Sequence, residues 1–125
     1  MGHELTLSSL GHTWILDLDG TVVKHNGYKL DGEDSFLPGA PEFLRSLPEK
    51  DMIVFLTSRG SELREETELF LRKNGIRFDA VLYNAPYGER ILINDRKPSG
   101  LRMSYEISPE RDCWCDLTVR EDEHL

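Results

Sequence analysis

The stretch from His12 to Val22, HTWILDLDGTV, constrains this chain more than any other. Trp14, Ile15 and Leu16 form a short, β-rich apolar run that predicts a buried strand. Two acids follow immediately. Side chains at i and i+2 of an extended segment project to one side, so Asp17 and Asp19 face a common volume while Leu18 points away. Gly20 then permits a sharp turn. Two carboxylates about 4 Å apart repel by roughly 4 kcal/mol at an effective dielectric near 20, so the pair calls for a cation, a shared proton or intervening water. The plain structural alternative is an Asp-rich turn that caps backbone N–H groups.

The same design recurs further along. In DMIVFLTSR, Ile53 to Leu56 is apolar throughout, which predicts a strand covered on both faces, and Thr57, Ser58 and Arg59 follow it. Ligands of open α/β sheets sit beyond the carboxyl ends of the strands, so Thr57 can meet Asp17 there. Its hydroxyl donates to a phosphoryl oxygen without adding negative charge. In ERILINDRKPSG, Ile91, Leu92 and Ile93 predict another buried strand, with Asn94 and Asp95 at its end.

Between these stretches, Val22 to Leu37 carries the turn signals Asn26-Gly27 and Asp31-Gly32 and reads as a small flap over the carboxylates. Pro41 to Leu47 reads as a helix stopped by Pro48. Ser61 to Asn74 reads as a longer helix, with Ser61 as cap, acids at its start and Gly75 as terminator. Phe78 to Tyr83 reads as a strand, Met103 to Ile107 as a final strand, and Thr118 to Leu125 as a fraying acidic tail. The fold expected is α/β, a doubly wound, Rossmann-like and mostly parallel sheet in one domain over residues 1–125, with 1–11 and 118–125 peripheral.

With 15 basic and 23 acidic residues, the net charge is −8. That balance predicts neither a nucleic-acid nor an anionic-membrane partner. No apolar run reaches the roughly 18 residues of a membrane span, and the first eleven residues hold too short an apolar stretch for a signal peptide, so the expected location is cytoplasmic. Cys113 and Cys115 read as ordinary reduced thiols.

The motifs Asp17-Leu18-Asp19-Gly20-Thr21, the strand ending in Thr57, and Asn94-Asp95 resemble, in order, the first, second and fourth motifs of the haloacid dehalogenase superfamily of phosphohydrolases. GERILINDRKPSGL is similar to its small capless members, a branch that includes sugar-phosphate phosphatases and capsule-synthesis proteins. The resemblance covers most of residues 12–107. It implies that Asp17 is the nucleophile and Asp19 the general acid and base, and that Mg²⁺ is held by Asp17, the Asp19 carbonyl and Asp95. It places the phosphoryl group among Gly20, Thr57, Ser58, Arg59 and Asn94. The superfamily's upstream lysine has no counterpart here. Lys97 is the expected substitute, with Arg59 next and Arg90 last, because Arg90 starts a predicted strand.

The intervals from Asp19 to Thr57 and from Thr57 to Asp95 are equal and leave no room for a cap domain. The resulting expectation is a Mg²⁺-dependent phosphomonoester hydrolase that forms an aspartyl-phosphate. Its expected substrate is a phosphorylated sugar or related small molecule, with a second copy of the chain as a possible cover for the open site. The alternative is a phosphate-binding or regulatory module of the same fold with impaired catalysis.

Overall fold

The computed structural model describes residues 2–125. Its element order is β1 (His3–Leu7), β2 (Thr13–Leu16), α1 (Gly27–Leu30), α2 (Ala40–Ser46), β3 (Met52–Leu56), a 3₁₀ turn (Ser61–Leu63), α3 (Arg64–Lys73), β4 (Ala80–Leu82) and β5 (Leu117–Glu121). The strands form two parallel sheets, one of order β2-β3-β4 and one pairing β1 with β5. This is an α/β architecture with small parallel sheets.

Register explains how the larger sheet is covered. Trp14 lies beside Ile53, Leu16 beside Phe55, and Phe55 beside Val81, all on one face. Leu44 of α2 and Leu71 of α3 join that same core. Both crossovers step in one direction along the sheet, and right-handed connections then place both helices on one side. The opposite face holds Ile15, Met52 and Leu82, each about half exposed. Covering it with helices requires the strand order to reverse beyond β2. The expected cover on both faces of β3 is therefore only partial: Val54 and Leu56 are half-buried on the second face, and Met52 is about half exposed.

Three expectations on the flanks change. Residues 91–93 are not a strand: Ile91, Leu92 and Ile93 are 82, 59 and 92% exposed. No strand forms over 103–107 either. Thr118 to Leu125 is not a fraying tail, since β5 pairs with β1 from His3 opposite Leu117 to Leu7 opposite Glu121. Leu5, Leu7, Leu117 and Val119 supply the alternation that earns this pairing. The helix after β3 starts as a 3₁₀ turn, Ser61 makes no cap bond, and Gly75 ends the segment at φ +73° as expected.

Asp51 fastens the start of β3 to β2. It is 4% exposed and accepts hydrogen bonds from the His12 N–H at 3.0 Å and the Trp14 indole at 2.9 Å. Burial alone would raise its pKa, but the bonds from Trp14 and His12 outweigh that and leave it below the ordinary carboxylate value. The folded pKa lies below the unfolded one, so the stabilisation is present above the unfolded pKa and disappears as the pH falls through the folded one. Asp51→Ala should cost about 1–3 kcal/mol near neutral pH. Urea melts should show the gap between variant and parent closing only below pH 3.8.

Candidate functional site

The loop after β2 wraps around one carbonyl. The N–H groups of Thr21, Val22 and Val23 all donate to Leu18 O, at 3.1, 2.9 and 3.1 Å, and Gly20 N donates back to Val23 O at 2.7 Å. Gly20 takes φ +85°, a conformation costly for other residues, with the Arg111 and His25 side chains closing on it. Leu18 is buried beneath the loop, which leaves Asp17 and Asp19 to either side of it, partly exposed.

Each acid meets its own arginine. Asp17 accepts from Thr21 Oγ1 at 3.1 Å and from Arg90 Nη1 at 3.0 Å. Arg90 also donates to Leu56 O, the last carbonyl of β3, at 3.1 Å, and its Nη2 lies 3.5 Å from Ser58 Oγ. Both partners keep about a third of their side-chain surface in solvent. Asp19 is gripped on both oxygens by Arg59, through Nε at 3.0 Å and Nη2 at 2.9 Å.

Arg59 is the best-held residue of the site. Its side chain is 4% exposed, and its Nη atoms also donate to both oxygens of Asp34 (3.0 and 2.7 Å) and to Thr67 Oγ1 (2.9 Å). All five guanidinium N–H groups thus have an acceptor. The Tyr28 ring lies 4.5 Å from the guanidinium carbon. Burial alone would lower the Arg59 pKa, but the bonds it donates to Asp19 and then Asp34 more than compensate and keep it charged. The flap is held in place by Lys24 N to Ser35 O and Leu37 N to Val22 O, and it delivers Tyr28 and Asp34 to Arg59.

Several expected site residues therefore stand together and others do not. Asp17, Asp19, Gly20, Ser58 and Arg59 surround the carboxyl ends of β2 and β3. Thr57 is 1% exposed, and its hydroxyl accepts the Arg59 N–H at 3.1 Å, so it braces the loop that carries Arg59. Asn94 donates to Met103 O at 3.3 Å, and Asn94, Asp95 and Lys97 are all exposed. The cation that reaches Asp17 is Arg90 rather than Lys97. Because residues 91–93 form no strand, Arg90 does not begin one at the far end of the sheet.

Among the described residues no group of three acids, histidines or cysteines is close enough to hold a metal. Both Asp17 and Asp19 are engaged by guanidinium groups, and Asp95 is not with them. This donor set does not fit Mg²⁺ held by Asp17, the Asp19 carbonyl and Asp95. Reasoning from sequence missed Asp34, Thr67 and Tyr28, which carry no motif. Cys113 and Cys115 are free thiols, and burial pushes the Cys115 pKa up.

No protein-family model and no curated protein matches the chain. Two solved structures do. They are "Structure of Pnkp1/Rnl/Hen1 complex" and "Structure of the Pnkp1/Rnl/Hen1 RNA repair complex", each 28% identical over 66% of this chain, with a TM-score of 0.52. The matches cover 31% and 28% of those chains, so this chain spans less than a third of their length. This likeness overturns two expectations. The substrate class of a phosphorylated sugar or small metabolite is not supported, and the exclusion of nucleic acid as a partner is withdrawn. Net charge misled there, because a −8 total describes the whole surface and not the rim of one site.

Proposed function

We propose that the chain is a phosphoryl-transfer domain of the haloacid dehalogenase-like class that removes a terminal phosphate from RNA. The observation that carries the chemistry is Asp17, a partly exposed carboxylate at the carboxyl end of β2, aimed by Thr21 and Arg90. The likeness to chains of an RNA repair complex supports the substrate class.

In this reading Asp17 attacks phosphorus in line, and an Asp17–phosphorus bond forms as the bond to the terminal ribose oxygen breaks. The ribose oxygen leaves with a proton taken from water, since Arg59 holds Asp19 as a carboxylate. A second water then attacks the phosphorus of the aspartyl-phosphate and gives its proton to Asp19 as the Asp17–phosphorus bond breaks and inorganic phosphate leaves. Arg90, beside both Asp17 and Ser58, offsets charge on the phosphoryl oxygens as it spreads.

The test is phosphate release from short single-stranded RNAs carrying a 3′- or a 5′-terminal phosphate. Release from at least one is expected; release from neither removes the reading.

Arg90→Met keeps much of the stem and removes the charge. Turnover should fall about a hundredfold, the scale of a lost preorganised donor. The melting temperature should barely move, because the Arg90–Asp17 pair is solvent-screened.

A further inference from the structure

Beyond β4 the chain runs exposed from Pro86 to Gly100. Arg90 pins one point of it to Asp17. Past that anchor the backbone doubles back. Asn94 Nδ2 donates across to Met103 O, Lys97 N to Leu101 O, and Gly100 N to Lys97 O, with Gly100 at φ +94° making the reversal. Residues 94–103 are thus a projecting finger.

The finger's composition is opposite to that of the chain. It carries Arg96, Lys97 and Arg102 against the single acid Asp95, on a protein of net charge −8. At its base the Arg102 guanidinium lies 4.3 Å over the Tyr105 ring, and Arg102 Nε donates to Ser104 O at 2.7 Å, so a planar, cationic stack is held in one orientation. Tyr87, on the other side of the Arg90 anchor, is 94% exposed.

We infer that this finger is a track for single-stranded RNA leading its phosphorylated end to Asp17. This rests on the function proposed above. Sequence-independent single-strand sites combine cations that follow the backbone with aromatic or guanidinium planes on which unstacked bases lie. Those two components occur here together, on a segment tethered at the nucleophile. Screening within about 8 Å at physiological ionic strength lets a local positive strip act despite the acidic remainder. An acidic protein partner would find the same cations but no use for the stacked planes, which favours RNA.

The test measures binding directly, by fluorescence anisotropy of a labelled single-stranded RNA against the full chain over a range of salt. The residues changed are exposed, so circular dichroism should show an unaltered fold. Arg96→Gln with Arg102→Gln should weaken binding about tenfold at physiological salt and flatten the log–log salt slope by about 1.4, the counterion release of two single-strand contacts. Tyr105→Ala should weaken binding about fivefold or more with the slope unchanged, as a lost stacking surface does.

Parental affinity in both variants, or no RNA binding by the parent at low salt, overturns the finger. So does parental binding that double-stranded RNA displaces as well as single-stranded RNA does. The two proposals fail separately. Phosphate release with finger variants that bind like the parent leaves the catalytic reading standing without the track. Finger-dependent binding with no phosphate release leaves the track and removes the catalysis.

Discussion

Asp17→Asn is expected to abolish phosphate release from RNA ends, by about a thousandfold or more, the scale on which a lost nucleophile acts. The carboxamide is a poor nucleophile and carries no charge for Arg90 to hold. Thr21 can still donate to the remaining oxygen, so the loop around Leu18 should keep its shape. The pair with Arg90 is about one-third exposed, and such pairs contribute about 0–1 kcal/mol. A melt should therefore separate the effects: a lost rate with a nearly unchanged transition. Single-turnover assays with acid quench should also lose any covalently held phosphate. Turnover comparable to the parent would remove Asp17 from the chemistry.

The parts of the fold that sequence revealed are those where local pattern and tertiary demand agree. Trp14 to Leu16 and Ile53 to Leu56 are short apolar runs followed by polar loop residues, and both are strands of the same sheet. Pro41, Glu42 and the following apolar residues read as a helix, and α2 is there. The run at Ile91 to Ile93 has the same composition as the other strands yet joins no sheet, because apolarity licenses burial only where a partner edge accepts it. β5 failed in the opposite direction. Its Leu, Val and charged residues look like a tail until β1, more than a hundred residues earlier, is seen to pair with it.

The site divides along the same line. Asp17, Asp19 and Gly20 are legible because they are contiguous and the backbone geometry of a strand end fixes their directions. The ion network is not legible, because it joins the first loop to Asp34 in the flap, Arg59 after β3 and Arg90 after β4. Nothing local marks Asp34 as a partner of Arg59. The ranking of Arg90 behind Lys97 followed from treating 91–93 as a strand, so one error in secondary structure displaced the cation of the site.

Arg59→Met is expected to have the largest effect on stability of any single change here. Methionine fills much of the stem volume but removes all five donors. Asp34, with 8% of its side chain exposed, and Asp19, with 18%, would then face each other across the space the guanidinium bridged. Breaking a buried pair by removing one partner costs about 3–5 kcal/mol, chiefly from the charge left uncompensated. The loss of the Tyr28 contact adds about 0.5–2 kcal/mol. Against the 5–15 kcal/mol typical of a domain, that is a large share. The flap should loosen first, since Asp34 and Tyr28 are its ties to the sheet, so hydrogen exchange at residues 24–36 should accelerate more than at β3. Adding Asp34→Asn to Arg59→Met should recover part of the lost stability, because one of the two stranded charges is gone. Recovery of stability without recovery of phosphate release would identify Asp19 orientation as what Arg59 contributes to turnover. A double variant no more stable than Arg59→Met would mean that the stranded charge is not the source of the loss.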